Sequence, residues 1–460
     1  MLLLMGTAVA VRAPGAHPLT LAVTSGGTWL PWDSTGTVTH LESTTGRADA
    51  AITVPGAAGH RLVVLADGPD LLIADETSGL LHLIEPQRLA PARSAALPAG
   101  SVVTARHGAL YAAAAPTGQV RRLDRRRLAP IGPMIDLGGA LGAIAQSGDG
   151  TLWAPVRRSG MVVAIRAGSP SAPVRVAPPG HHIDMALAAG QPVVVDATAG
   201  TLTPLTGGRS RVITLPRPAE AAERPLIAAP EVPGRLLPVV DPGAGRLLLA
   251  DLSSGAVRTV ALPAGAGWEA VPTARTDSDE PAAGGRSGQT GLPDVDRPAQ
   301  LSGTPSAAAS STPMSAARAG NPVPGSAPAS DIEPPLWHNG QLYIPGPRSG
   351  TALVFDTRSL RYSAPITVPV LLPPVSPGAV SAASAATVGA ATASAATMPG
   401  GVGGGPTVTA NGAQVWVNDP SGPNLVLIDG GRRTILSKQP AGLAGQSGSA
   451  PPRPLPPPPP

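Results

Sequence analysis

Cysteine is absent from the 460 residues. That removes disulfides, cysteine metal sites and thiol nucleophiles together. Aromatic residues are nearly as scarce, with six Trp, three Tyr and one Phe. A core must therefore be built from Val, Leu, Ile and Ala. Lysine occurs once, at Lys438, so arginine supplies almost all of the positive charge, and the net charge is only +4. The arginines are not gathered along one face with interleaved aromatics, which excludes nucleic acid as the expected partner.

Long apolar runs are missing as well. The opening "MLLLMGTAVAVRAPG" has about half of the roughly 20 residues that span a bilayer. Residues 1–18 match the apolar region of a signal peptide, with Ala8-Val9-Ala10 as a small-residue cleavage site and no positively charged leader. This predicts an extracellular or cell-envelope protein, with membrane association through the N-terminus. Without a signal remnant the expectation would be cytoplasmic.

Glycine and proline are abundant, at 56 and 57 residues. Together they are about twice the average share, which calls for many turns. A repeat accounts for them. In "TWLPWDSTGTVTHLE" a large apolar anchor is followed by a Gly turn and by a strand that closes on an acid. Counterparts of the anchor Trp29 fall at Leu72, Tyr111, Trp153, Val193, Leu237, Tyr343 and Trp416. Gly follows the anchor by seven at Gly36, Gly79, Gly118, Gly160, Gly200 and Gly350, with Gly245 and Gly422 looser. The next strand closes with Glu42, Glu85, Asp124, Asp251, Asp356 or Asp429 in six of eight units.

Each unit also has a strand before the anchor and one after the acid, as in "LTLAV" at residues 19–23 and "AAITV" at 50–54. Four short strands per 40–45 residues predict an all-β fold, a β-propeller of four-stranded blades. Eight anchors predict eight blades, with seven as the alternative. Asp149-Gly150, Asn339-Gly340 and Asn411-Gly412 are expected hairpin turns between first and second strands. The anchors Trp29, Tyr111, Trp153, Tyr343 and Trp416 are expected to pack between blades, and the closing acids to accept turn amides.

The propeller is expected over residues 19–440. Two stretches break its rhythm, 272–334 and 372–406, both poor in large apolar side chains. They predict disordered insertions on one face of the disk. The Pro-rich tail, residues 441–460, predicts extended polyproline.

Chemistry is sparse. The sequence has no HExxH, no phosphate-binding Gly loop and no nucleophile elbow. No catalytic residue, metal ligand set or cofactor is assigned. The one histidine cluster is "HHIDM", where His182 and Asp184 share a side of a strand by period two. They are the candidate binding residues. "RRLDRRR", residues 121–127, is the densest charge run, read as a solvated edge with an anionic polymer or membrane surface as the alternative.

The pattern G-x-[LVW]-[WY]…G-x-[VL]-x-x-[LI]-D resembles NHL and YVTN-type propellers. More narrowly, "GGTWLPWDSTGTVTHLE" and "NGAQVWVNDPSGPNLVLIDGG" look like exported actinobacterial propellers that carry fibronectin type III domains, which this sequence does not show. The resemblance implies a non-catalytic envelope or secreted scaffold that binds a protein or an envelope polymer. A second resemblance of fold, to streptogramin B lyases, implies the alternative of a metal-dependent lyase or hydrolase. The His-x-Glu-x-His-like cluster that such an enzyme would need is absent from the sequence.

Overall fold

The computed structural model describes residues 26–67, 70–85, 88–98, 100–205, 211–218, 221, 224–263, 333–346, 350–369 and 405–439. The expected first strand at 19–23, the segments 1–18 and 441–460, and nearly all of both expected insertions lie outside them.

The chain is an all-β propeller of eight sheets. Blade two shows the plan: Leu62–Asp67, Asp70–Asp75, Leu80–Glu85 and Ala90–Ala96, each antiparallel to the next. Blade one has three described strands, Gly27–Trp32, Thr37–Glu42 and Ala48–Thr53. Blades four and seven split the outermost strand in two. The second and third strands alternate large apolar residues toward both neighbouring blades, so a blade buries its two faces only inside a ring.

Eight apolar clusters result, one at each seam between blades. Trp29 packs in the seam with blade two, Tyr111 with blade four, Tyr343 with blade eight, and half-buried Trp153 with blade five. Trp416 is fully buried against Leu30 and Leu41 of blade one, and so closes the ring. Burying a Trp removes roughly 150–250 Å² from water, worth several kcal/mol at about 25 cal/mol/Å².

One hydrogen bond recurs in every blade. The carbonyl at the turn between second and third strands accepts the amide that leaves the fourth strand. The acceptors are Gly36, Gly79, Gly118, Gly160, Gly200, Gly245, Gly350 and Pro423, and the donors Val54, Leu97, Leu137, Val176, Leu215, Leu262, Val368 and Lys438.

Two looser units are corrected by this bond and by the strand registers. Trp29 stands opposite His40 and Trp416 opposite Leu427, two residues before the strand's closing position. In blade six Pro238, opposite Leu249, holds that position, and Gly245 follows by seven. Leu237 is one residue out of register and therefore faces blade five. In blade eight the turn position is Pro423, and Gly422 is not left-handed.

The expected hairpin turns divide. Asn339-Gly340 has positive φ at both residues, 49° and 80°. At Asp149-Gly150 and Asn411-Gly412 only the glycine is positive. His107-Gly108 and Ala189-Gly190 also have both residues positive, and composition did not point to them. After the closing acids, the fifth position of the turn is left-handed: Gly46, Leu89, Leu128, Gly255 and Leu360. Three of the closing acids, Asp124, Asp251 and Asp356, accept turn amides, whereas Glu42 accepts the Thr44 and Thr45 hydroxyls, Glu85 pairs with Arg88 and Asp429 accepts Gln414 Nε2. Asp124 Oδ1 takes the amides of Arg126 and Arg127 at 3.0 and 2.7 Å, and Asp356 Oδ1 those of Arg358 and Ser359 at 2.9 and 2.8 Å.

Blade six departs most from the plan. Its first strand, Ile227–Ala228, is followed by the segment 229–235, with Pro230 and Pro233. Proline cannot donate to a ladder. The chain leaves the blade, and Glu231–Val232 pairs in parallel with Ile183–Ala188, on the channel side of blade five.

The turn glycines answer two demands at once. Gly160 has φ 67°, and a Cβ there would lie 2.1 Å from the Ala177 carbonyl oxygen. Gly180 has φ 85° and open space around it. Gly160→Ala is therefore expected to lower stability by about 2–3 kcal/mol and Gly180→Ala by about 1 kcal/mol. Thermal melts of the two variants measure the difference, and equal losses would refute the role of the close carbonyl.

Candidate functional site

Turns between second and third strands share one face of the ring with the connections between blades. On this face the sequence builds the same fastener twice. Residues 60–79 and 181–200 align as His-x-[LI]…Asp-x-Thr-x-Gly. His60 Nδ1 lies 2.7 Å from Asp75 Oδ2, and His181 Nδ1 2.7 Å from Asp196 Oδ2. The other oxygen of each carboxylate accepts two turn amides, from Thr77 and Ser78 at 3.0 and 2.9 Å, and from Thr198 and Ala199 at 3.0 and 2.9 Å. The Thr hydroxyls in turn accept the amides of Arg61 and His182, at 3.0 and 2.9 Å. Burial pushes the Asp75 carboxyl upward, but the bonds from His60 and Ser78 outweigh it and hold it below the usual range.

The residue after each fastener histidine differs, and here the predicted site residues appear. His182 follows His181 and Asp184 lies in Ile183–Ala188. Asp184 Oδ1 accepts the Ala143 amide at 2.7 Å and the Arg157 guanidinium at 3.1 Å, which ties blade five to blade four. A Cβ at Gly142 would lie 2.5 Å from the same oxygen. His182 is half-buried with its Nδ1 unpartnered. Burial first, then the Arg157 charge, holds it below the usual histidine range, while Asp184 opposes them. His182 and Asp184 thus sit together, with a guanidinium on the carboxylate.

Arg61 holds the equivalent place in blade two. It pairs with Glu76 at 2.9 Å and with Glu333 at 2.5 Å. Glu333 enters blade seven, which does not adjoin blade two, so this pair reaches across the ring axis. Burial pushes Asp33, in the turn of blade one, up to about 6, although the Leu62 amide and the charges of Arg61 and Lys438 oppose it. Burial raises Glu76 too. Sequence spacing could not group these residues, because three different blades supply them. On the opposite side Arg106 of blade three pairs with Glu231, in the strand added to blade five. Among the described residues no group of three or more His, Asp or Glu is placed to hold a metal ion.

The seam between blades eight and one is polar as well as apolar. Asn418 Nδ2 donates to the Pro31 carbonyl at 3.0 Å, and Asp33 N to that of Pro420 at 2.7 Å. Lys438 lies fully buried at the strand-exit position that seven other blades fill with Val or Leu. Its ammonium donates to the carbonyls of Asp419 and Pro31, at 2.6 and 3.3 Å, and lies 5.6 Å from the centre of the Trp32 ring. Burial pushes this amine down to about 7, and Asp419 and Asp33 oppose the shift.

These features define the class: an eight-bladed β-propeller with an ion-paired channel mouth. No family model matches the chain, and no curated protein sequence matches it. Solved structures do resemble it. Dihydro-heme d1 dehydrogenase NirN, in complex with DHE, is 12% identical over 94% of this chain and 76% of that one, with a TM-score of 0.53. AztD from Citrobacter koseri is 12% identical over 76% and 85%, with a TM-score of 0.43. A streptogramin B lyase is 13% identical over 52% and 80%, at 0.40. At such identities the likeness is one of fold.

A depressed lysine has a defined pH signature. Between about pH 7 and the unfolded value of 10.5 the unfolded chain binds a proton that the folded chain has released. Stability therefore rises with pH across this window, by at most about 1.4 kcal/mol per pH unit. Lys438→Met restores the apolar pattern of the other blades. It is expected to be more stable than the parent at pH 7 and to lose this slope, as measured by urea unfolding from pH 7 to 10. A variant less stable at pH 7 would mean that the ammonium strengthens the seam.

Proposed function

We propose that the chain is a non-catalytic propeller of the cell envelope or the extracellular space. It acts as an interaction scaffold for a protein or an envelope polymer, and it binds on the face that carries the interblade connections. One observation carries this reading. The histidines and carboxylates gathered on that face hold loops and seams in place. His60 and His181 face the carboxylates that tie their own turns, and Asp184 is joined to Arg157 and to the Ala143 amide. What the face offers a partner is a fixed pattern of ion pairs around the channel, suited to recognition. The apolar N-terminal stretch and the resemblance to NHL and YVTN-type propellers support the envelope setting.

A metal-assisted lyase would need His182 and Asp184 to receive a cation. The guanidinium of Arg157 already occupies the Asp184 oxygen and disfavours a second positive charge there.

The test is a thermal-shift screen of the full chain against divalent ions and soluble envelope polymers. Binding at a hundredfold excess over Kd raises stability by about 2.7 kcal/mol. We expect stabilisation by a polymer or partner, weakened by Arg158→Glu on the exposed turn of this face. A shift with one divalent ion that disappears in His182→Ala would replace the scaffold reading by the enzymatic one.

A further inference from the structure

The outer edge of blade three combines features that neither the fold nor the binding face requires. Its fourth strand, Pro130–Asp136, pairs with Gln119–Leu123. Ile131 stands opposite Arg122 and Ile135 opposite Val120. Gly132, Pro133 and Met134 therefore face the single residue Arg121. This is a bulge that pushes its middle outward, with Gly132 at φ 74°. Every residue from Ala129 to Met134 is exposed. Ile131 and Met134 keep 40% and 43% of their surface in water; Val102, Val174, Val212 and Ile435 are also exposed, but singly, whereas these two share one bulge.

Arginines surround this apolar ridge. Arg126 and Arg127 are exposed on the preceding turn, where only their backbone amides are engaged, by Asp124. Arg122 reaches the Ala167 carbonyl at 2.9 Å and Arg121 the Met134 sulfur at 3.7 Å. Among the described residues none of these four forms an ion pair. Arg125, which pairs with Asp70, is the exception on the turn.

The chemistry selects among occupants. An added β-strand is disfavoured, because Pro130 and Pro133 carry no N–H and the bulge twists the edge away. A purely ionic polymer would gain nothing from exposed Ile and Met. Unpaired guanidinium groups around a protruding apolar ridge fit a surface that is anionic outside and apolar beneath. We propose that the bulged outer edge of blade three docks on an anionic lipid bilayer. Ile131 and Met134 enter the headgroup boundary, and Arg122, Arg126 and Arg127 contact lipid phosphates. This surface lies at the outer rim, away from the channel mouth, so the proposal stands independently of the scaffold reading.

The test is flotation of the full chain with vesicles of equal parts phosphatidylglycerol and phosphatidylcholine, against phosphatidylcholine alone. Binding is expected only to the anionic vesicles and is weakened by salt. Arg126→Glu with Arg127→Glu should reduce it by about tenfold or more, at roughly fivefold per arginine removed. Ile131→Ser with Met134→Ser should also weaken it and should leave no salt-resistant remainder. Unchanged melting of both double variants would show that the ring is intact. Binding that survives the arginine reversal, as insertion through the apolar N-terminus would, overturns the proposal. So does an unaffected serine variant whose binding is competed away by polyphosphate, since that outcome assigns the edge to a soluble polyanion. Failure to float with anionic vesicles overturns it as well.

Discussion

The whole ring depends on one backbone hydrogen bond repeated in every blade. The carbonyl of the turn between second and third strands receives the amide that leaves the fourth strand. This bond fixes the distance from anchor to turn, because the chain must return to the same point after each outer strand. It also explains the glycines. A carbonyl approaching from the exit of the fourth strand leaves no room for a side chain at Gly118 or Gly160, and both residues are left-handed. Blade eight keeps the bond with Pro423 in place of glycine, and its donor is Lys438, the chain's single lysine. The exception sits where the last blade must join the first.

Ring closure makes a polar seam from groups at the two ends of the described chain. Asn418 and Lys438 reach the Pro31 carbonyl, and Trp416 fills the space beneath them. Other seams carry directional bonds as well, such as Asp184 with Arg157 and the Ala143 amide between blades four and five, and Asn424 with the Pro369 carbonyl between blades seven and eight. At the closing seam the directional bonds come from groups at opposite ends of the described chain. At the channel, Arg61 with Glu333 and Arg106 with Glu231 each join blades that are not neighbours in the ring. Asp33 and Glu76, half-buried carboxyls beside Arg61, are shifted upward by desolvation.

Much of the fold was legible because its signals are local. Period-two alternation, Gly turns and acids that bind the next two amides all act within a few residues. Two units misled for local reasons also. Leu237 carries the larger side chain and so fits the anchor pattern, although register places Pro238 there. Gly422 drew attention to the wrong side of Pro423. His107-Gly108 and Ala189-Gly190 form hairpins without the usual Asn or Asp, because the paired strands impose the positive φ that propensity would not choose. At the candidate site, the closeness of His182 to Asp184 was readable by period two. Its guanidinium was not, since Arg157 comes from the neighbouring blade.

The sequence by itself determined the repeat, the strand order within each unit and the places of its turns, and it left the blade number at eight or seven. Steric limits on φ and the alternation of side chains operate over short separations, so a one-dimensional pattern carries them. Tertiary structure alone decided which charges meet. It paired Arg61 with Glu333, drew Glu231 to the channel side of blade five and laid Lys438 over Trp32. It also turned two His-x-[LI]…Asp-x-Thr-x-Gly stretches into loop fasteners. The physical reason is distance along the chain. Asn418 and Pro31 are 387 residues apart. Only the closing of the ring, driven by burial at its seams, brings such groups within hydrogen-bond reach.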